Sequence, residues 1–398
     1  MKDIFTFYTN NTGFSLLAFE PIDVFECSEE ECLEGLSNFL EKYNDDYRFG
    51  FLSYDTQETW LGAAQAFEKN ILFPKVGFFV PQFVVQIDEN DQCVYLKGQE
   101  SAESERFVQE FLAERVNKPQ NEIQLTPRFS QEEYQSRILS IQDKMQKFGV
   151  EVVVFCQDFF AKNVEVEPVP TFFELNQKAK SPFSCFVKWE DQYLLSASPE
   201  RFLKKEGSKL ITQPIKGTAR RGETAEEDEK LKSDLVSSLK EKEENSSVVK
   251  AIENEMLLFA VADSIKVEEF SEVYTFETVH QLISTISAEV SPKVDFAEIM
   301  NFLFPMGSMT GAPKFFAMQI LRAYENFNRG LYSGTVGYFK PNGDFDFNVV
   351  IRSILYNDAL GNISCPVGGG ITLKSDPELE YYECLIKLKA LQAVLNNG

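Results

Sequence analysis

The sequence predicts an α+β fold, one large body with an N-terminal portion folded onto it, and three observations lead there. Short apolar runs of β character recur along the chain, from FTFYT near the start to DFDFNVVIRS late in it. Helical stretches with readable start signals fall between them. No long linker, internal repeat or low-complexity tract separates the two kinds of element. At 398 residues, 43% apolar and 25% charged, the chain can bury a substantial core.

Taken in order, residues 1 to about 85 carry the β-like runs FTFYT, RFGFLSYD and KVGFFVPQFVVQI, with one acidic helical stretch near 28–43. Residues 86–129 are the most polar part (DENDQ, KGQESAESE, NKPQNE) and read as peripheral. An N-terminal segment 1–129 is therefore expected beside a body 130–398. Ser130 and Glu133 have the S-x-x-E spacing of a capping box and open a helix through EEYQSRILSIQDKMQKFG. QYLLSASPERFLKKEGSKLITQPIKG reads as two strands folded across Glu206-Gly207-Ser208. That fold sets Glu200 opposite residues 214–216. One helix is expected from about Ala225 to Ala262. In DFDFNVVIRS, period-two alternation puts Phe345, Phe347, Val349 and Ile351 on one face and Asp346, Asn348, Val350 and Arg352 on the other. In SDPELEYYECLIKLKALQAVL, Asp376 or Ser375 caps a terminal helix with Pro377 at its first position.

Composition excludes several functions. With 39 basic against 62 acidic residues the net charge is −23, which repels nucleic acid and anionic membrane. An anionic substrate would need positive charge supplied locally. The seven scattered cysteines show no CxxC pair and read as small core hydrophobes of a reducing compartment. MKDIFTFYTNNTGF lacks the pattern of a signal peptide and no window has the apolar length of a membrane span, so a soluble cytoplasmic protein is expected. A single histidine, His280, leaves no room for a multi-histidine zinc site, and any Ser-His-Asp or Cys-His arrangement would have to use it.

Four places can carry chemistry. Lys216 and Glu200 meet at the open end of the hairpin, either as a cross-strand ion pair or as nucleophile and acid. In the second reading Arg220, Arg221 and burial push the lysine toward its neutral amine. Arg352, inside a strand, suits a planar anion, either a structural aspartate or a substrate carboxylate. Glu380, Glu383 and Lys387 share one helix face, where Glu383 and Lys387 make an ordinary i,i+4 pair or the two carboxylates join Glu244 around Mg²⁺. The glycines of CPVGGGI allow close approach of backbone to a ligand, or a tight turn. MGSMTGAPK fails the spacing of a phosphate loop.

In this order SASPERF, QPIKGTARRG, TVHQLISTIS, PMGSMTGAPKFFAMQIL, YSGTVGYF, DFNVVIRS and GGGITLKSDPELEYYECLIK resemble the chorismate-utilising enzymes over residues 130 to 398. That family includes the anthranilate and aminodeoxychorismate synthase component I proteins and the isochorismate and salicylate synthases. GFLSYD resembles the corresponding segment of the aminodeoxychorismate branch. The resemblance implies an anthranilate synthase component I-like, two-domain sandwich of antiparallel sheets flanked by helices. It implies Mg²⁺ on Glu244 and Glu383, with Glu380 beside them through water. Chorismate's carboxylates would be held by Arg352, Lys387 and the backbone around Gly334, Thr335 and Gly337, with Thr218, Gly369 and Gly370 also binding substrate. Glu200 would protonate the departing 4-hydroxyl, and His280 would sit near the ring.

Lysine at the centre of Pro214-Ile-Lys216-Gly-Thr218 resembles the aminodeoxychorismate branch, where anthranilate synthases carry alanine. It implies attack of the lysine amine on C2 of chorismate and then displacement by ammonia at C4, giving 4-amino-4-deoxychorismate on the way to 4-aminobenzoate and folate. Anthranilate formation and a catalytically silent homologue are the alternatives. Near Val152 the sequence has no lysine, unlike the isochorismate and salicylate synthases. With no GxCxG elbow, ammonia is expected from a separate glutamine amidotransferase subunit. Departures from the family pattern fall at Asn245, at Lys250 to Glu255 and at Met306, and bear on the helix that presents Glu244.

Overall fold

The computed structural model describes residues 2–11, 13–28, 32–56, 71–119 and 122–396. Its strands all join one antiparallel network that doubles back on itself as a sandwich. One wing runs from Val152–Ala161 through Asn362–Ile371, Ser353–Asn357, Gln192–Ser198 and Phe183–Trp189 to Ile4–Thr9. The long strands Phe14–Cys27 and Val76–Asp88 then carry the network across. The other wing continues through Arg48–Leu52, Thr335–Phe339, Phe345–Asn348, Arg201–Glu206, Lys209–Gln213 and Val279–Glu289 to Lys266–Thr275.

Aromatic rings lock the wings together. Tyr8 meets Tyr338 at 5.5 Å and Trp189 meets Phe51 at 5.0 Å between centroids, edge to face in each case. Helix Phe296–Leu303 seals one wing with Phe296, whose ring lies 4.9–5.2 Å from those of Phe339, Phe345 and Phe347. Helices Gln131–Phe148 and Pro377–Leu395 cover the other through Tyr134, stacked on Phe155 and beside Tyr381. The box Ser130–Glu133 and Gly149 (φ 65°) bound the first of these helices, and Asp376 caps the second.

Several expectations change here. The polar stretch 86–129 is not merely peripheral: helix Ala102–Ala113 drives Phe107 and Phe111 against Phe5 at 5.5 and 5.6 Å. Ladders cross the boundary at 129, since Ile4–Thr9 pairs Phe183–Trp189 and Arg48–Leu52 pairs Thr335–Phe339. The single helix expected over 225–262 is two, Ala225–Ser237 and Leu239–Met256. Ser238 leaves helical geometry (ψ 111°) and its side chain caps the second helix through Glu241 N. Cys27 and Cys32 form a disulfide between a strand end and a helix start, so these two are not the free thiols expected. Cys156, Cys185, Cys365 and Cys384 are buried thiols. No helix among the described residues is long and apolar enough to cross a membrane.

Beneath the site lies a buried ion pair. Arg329, 2% exposed, donates from Nε and Nη2 to Glu325 at 2.9 and 2.6 Å. Its remaining N–H groups reach Met309 O at 2.7 Å, Val154 O at 2.6 Å and Ser333 Oγ at 3.3 Å. The Tyr54 ring covers the guanidinium at 4.4 Å, and Asp55 accepts from Gly330 N at 2.8 Å.

Candidate active site

The hairpin keeps the register its turn dictates from Glu206 to Lys204 and then shifts it at a bulge before Arg201. Gly207 takes φ 60° at the bend, and the pairs Glu206–Lys209, Lys205–Leu210 and Lys204–Ile211 lead to Arg201–Gln213. One step further Glu200 stands level with Pro214, and its carboxylate accepts from Ile215 N–H. Strand Ile215–Arg220 then pairs with Val279–Glu289, with a bulge between Ile215 and Thr218. Gly217 (φ 93°) makes that bulge, and a Cβ there would meet Glu241 Oε2 at 3.1 Å. Lys216 is thereby aimed inward.

Glu200 and Lys216 line one cavity of about 490 Å³, large enough for a drug-sized ligand. Burial pushes the Glu200 carboxyl up to about 7, against the pull of Lys216 and a hydrogen bond from Ser308. Burial likewise lowers the Lys216 ammonium; Glu200, Glu244 and Glu241 oppose that shift and Lys387 reinforces it. Lys216 Nζ donates to Ser308 O at 3.2 Å, so one residue touches both groups. The expected part of Arg220 and Arg221 is not found. Arg220 is held by Glu227, and Arg221 by Asp228 at 2.7 and 2.8 Å and by Phe276 O. Lys216 is lowered by desolvation, not by those arginines.

The same cavity is lined by Thr218, Arg352, Gly369, Gly370, Glu244, Glu383 and Lys387. Arg352 departs from the alternating strand expected for it. The ladder stops at Asn348 and resumes at Ser353, and Arg352 sits between with φ 52°, a strained conformation for a non-glycine residue. Its guanidinium has no hydrogen bond or ion pair among the described residues, and burial lowers its pKa. The aspartate that could have partnered it, Asp346, binds Arg201 instead at 2.9 and 3.1 Å. Lys387 pairs with Glu383 at 2.6 Å and donates to Gly368 O at 2.6 Å.

The three glycines form no turn; they lie in strand Asn362–Ile371, paired to Val152–Ala161. A Cβ on Gly369 would come within 3.0 Å of Glu380 Oε2 and 3.9 Å of Glu383 Oε1. One on Gly370 would lie 3.8 Å from Glu244 Oε2 and 3.5 Å from Val152 Cγ2. Carboxylates from two helices thus converge on bare backbone. Among the described residues no three such side chains close into a ready-made metal group. Hard oxygen donors of this kind nonetheless fit Mg²⁺, which is commonly held by one or two carboxylates with water and ligand oxygens. The departures Asn245 and Lys250 to Glu255 leave helix Leu239–Met256 unbroken. Asn245 accepts from Ser284 Oγ at 2.8 Å, and Glu255 pairs with Lys314 at 2.8 Å.

Two expected groups lie elsewhere. His280 does not line the cavity: strand alternation turns Val279 and Gln281 inward and the histidine to the opposite face. There its Nε2 meets Asp228 Oδ1 and its Nδ1 meets Thr275 Oγ1, both at 2.9 Å. Gly334, Thr335 and Gly337 also lie off the cavity. The two glycines are pressed against the carbonyls of Leu52 and Asp346, and Thr335 donates to Asn348 O at 2.5 Å. From that motif it is Tyr332 that reaches the wall. Tyr332, Gln281, Ser308 and Glu241 escaped the sequence reading. Glu241 could have been found one helical turn before Glu244, and Gln281 by counting strand parity.

Compared with known proteins, residues 3–393 match the family described as chorismate binding enzyme. The chain is 30% identical over 358 residues to aminodeoxychorismate synthase component 1 of Escherichia coli K12, covering 88% of this chain and 78% of that one. To anthranilate synthase component 1 of Saccharolobus solfataricus it is 29% identical over 351 residues, covering 87% and 80%. The crystal structure of anthranilate synthase component I from Streptococcus pneumoniae superposes with a TM-score of 0.81 at 23% identity, over 95% of this chain and 92% of that one, and so shares its α+β fold.

Proposed function

Because this chain belongs to the chorismate-binding enzyme family, we propose that it is a component I that converts chorismate and ammonia to 4-amino-4-deoxychorismate. The observation that carries this reading is the pairing of a half-buried lysine, Lys216, with a buried carboxyl raised to about 7, Glu200, in one cavity. Lys216 as neutral amine attacks C2 of chorismate, both conjugated ring double bonds shift, and the C4–O bond breaks as the hydroxyl leaves as water with the proton of Glu200. Ammonia then attacks C4, both double bonds shift back, and the C2–N bond breaks to expel the lysine amine. Arg352 and Lys387 hold the carboxylates of the dianion, and the Gly369–Gly370 backbone lets it approach. Glu244 and Glu383, with Glu380 behind them, would hold Mg²⁺, which would supply positive charge to a substrate carboxylate.

Ammonia comes, on this reading, from a separate glutamine amidotransferase subunit, and free ammonium substitutes for it in vitro. The test is product analysis with chorismate, Mg²⁺ and ammonium, comparing wild type with Lys216→Ala. Wild type is expected to give an amino product that a pyruvate-releasing lyase converts to 4-aminobenzoate. The variant is expected to lose about 10²-fold or more of that activity. Anthranilate from the wild type would overturn the assignment within the family, as the likeness to the S. solfataricus protein allows. Binding of chorismate without turnover would overturn it in favour of a silent homologue.

A further inference from the structure

Gln281 is an amide held in a position where half of it has no partner. It belongs to strand Val279–Glu289, is 3% exposed and lines the cavity. Its cross-strand neighbour is Thr218, another lining residue two positions beyond Lys216. Nε2 lies 3.5 Å from Thr218 Oγ1, a long hydrogen bond. Oε1 is buried and has no hydrogen-bond partner among the described residues. A buried carbonyl left in that state is costly, and one that faces a cavity can be completed by a ligand. On its own strand the adjacent side chains offer no donor: Val279 is apolar, and the imidazole of His280 is committed to Asp228 and Thr275 on the other face.

We propose that Gln281 is a specificity-determining residue that touches the substrate, its side-chain carbonyl accepting a hydrogen bond from an O–H or N–H donor in the cavity. Resting on the function proposed above, that donor is either the ring hydroxyl of chorismate or the incoming ammonia. A neutral amide suits both, because it accepts a hydrogen bond without adding negative charge to a site that receives a dianion. An acceptor that only a donor-bearing ligand satisfies also rejects analogues lacking the donor.

The test uses the full chain with Gln281→Met, which keeps length and apolar volume and removes the carbonyl. Chorismate affinity is read by calorimetry without ammonium, and KM for chorismate and for ammonium separately, alongside thermal unfolding. Tm is expected to hold or rise, because an unsatisfied buried group is gone, while one ligand weakens about 10-fold. A loss confined to chorismate, in both affinity and KM, names the hydroxyl; a loss confined to ammonium names ammonia. Wild-type affinity and both KM values preserved would overturn the proposal, as would a lower Tm with unchanged KM, which would mark a purely structural amide. Absence of chorismate binding by the wild type would instead sink the parent reading.

Discussion

Two arginines, one buried and one half-buried, divide the molecule into a floor and an interior. Arg329 under the cavity has its guanidinium satisfied by Glu325, two main-chain carbonyls and Ser333, beneath a tyrosine ring. Arg352 inside the cavity has no hydrogen bond or ion pair among the described residues and a backbone at φ 52°. The satisfied charge acts as a brace, since Met309 and Val154, whose carbonyls it holds, both line the cavity. The unsatisfied one has a job only when an anion arrives. Buried charge on its own therefore identifies nothing; the completeness of its hydrogen bonding separates structure from binding.

The contrast can be broken at its strongest point first. Glu200→Gln removes the proton donor from the interior while keeping its shape, and is expected to lower kcat with ammonium about 10²- to 10⁴-fold with chorismate binding retained. In the wild type the protonated form of Glu200 persists to about pH 7 instead of its ordinary 4.5, so kcat should fall as pH rises through about 7. The same sign applies to folding. Stability from that retained proton is full below about 4.5 and is lost as pH rises to about 7. An unchanged rate in the variant would remove Glu200 from the chemistry.

On the floor, Arg329→Met leaves Glu325 buried and unpaired, and unfolding in urea should show a loss of about 3–5 kcal/mol. Adding Glu325→Leu should recover much of it. A stable single variant would mean that the floor is not the brace described. The smallest effect sharpens the comparison most. Arg352→Gln should raise KM for chorismate roughly 10- to 150-fold, the value of about 1.5–3 kcal/mol for a charge-assisted hydrogen bond. Tm should be kept or raised, because the folded protein no longer holds a half-buried charge without a hydrogen-bond partner.

The sequence was most legible where chemistry is local. A two-residue turn at Gly207-Ser208 sets the register as far as Lys204, a bulge beyond it leaves Glu200 still on the Lys216 side, and Ser130 and Asp376 announce their helices. It was least legible where parity or a single cap decides. His280 drew attention by rarity, yet one step of strand alternation turns it away and presents Gln281. The acidic run after Arg221 has uniform helical propensity, and Ser238 cuts it with one dihedral. Alternation in DFDFNVVIRS continues in composition while the chain leaves the ladder at Asn348, because a left-handed residue is invisible to periodicity. The polar segment 86–129 hid two core phenylalanines among its charges.

The ladders that cross residue 129 set the order in which the molecule can assemble. Gly50 stands opposite Gly337 in one ladder, and Ile4 opposite Trp189 in another, so early strands find their partners only after much of the chain exists. Loop closure over such separations comes before any contact rewards it, which makes folding slow and exposes strand edges meanwhile. The hairpin bearing Glu200 and Lys216 closes within a few residues and forms quickly, but its cavity acquires walls only when the distant pairings are in place. Competence therefore arrives late and all together: refolding followed by substrate binding should lag behind refolding followed by backbone signal.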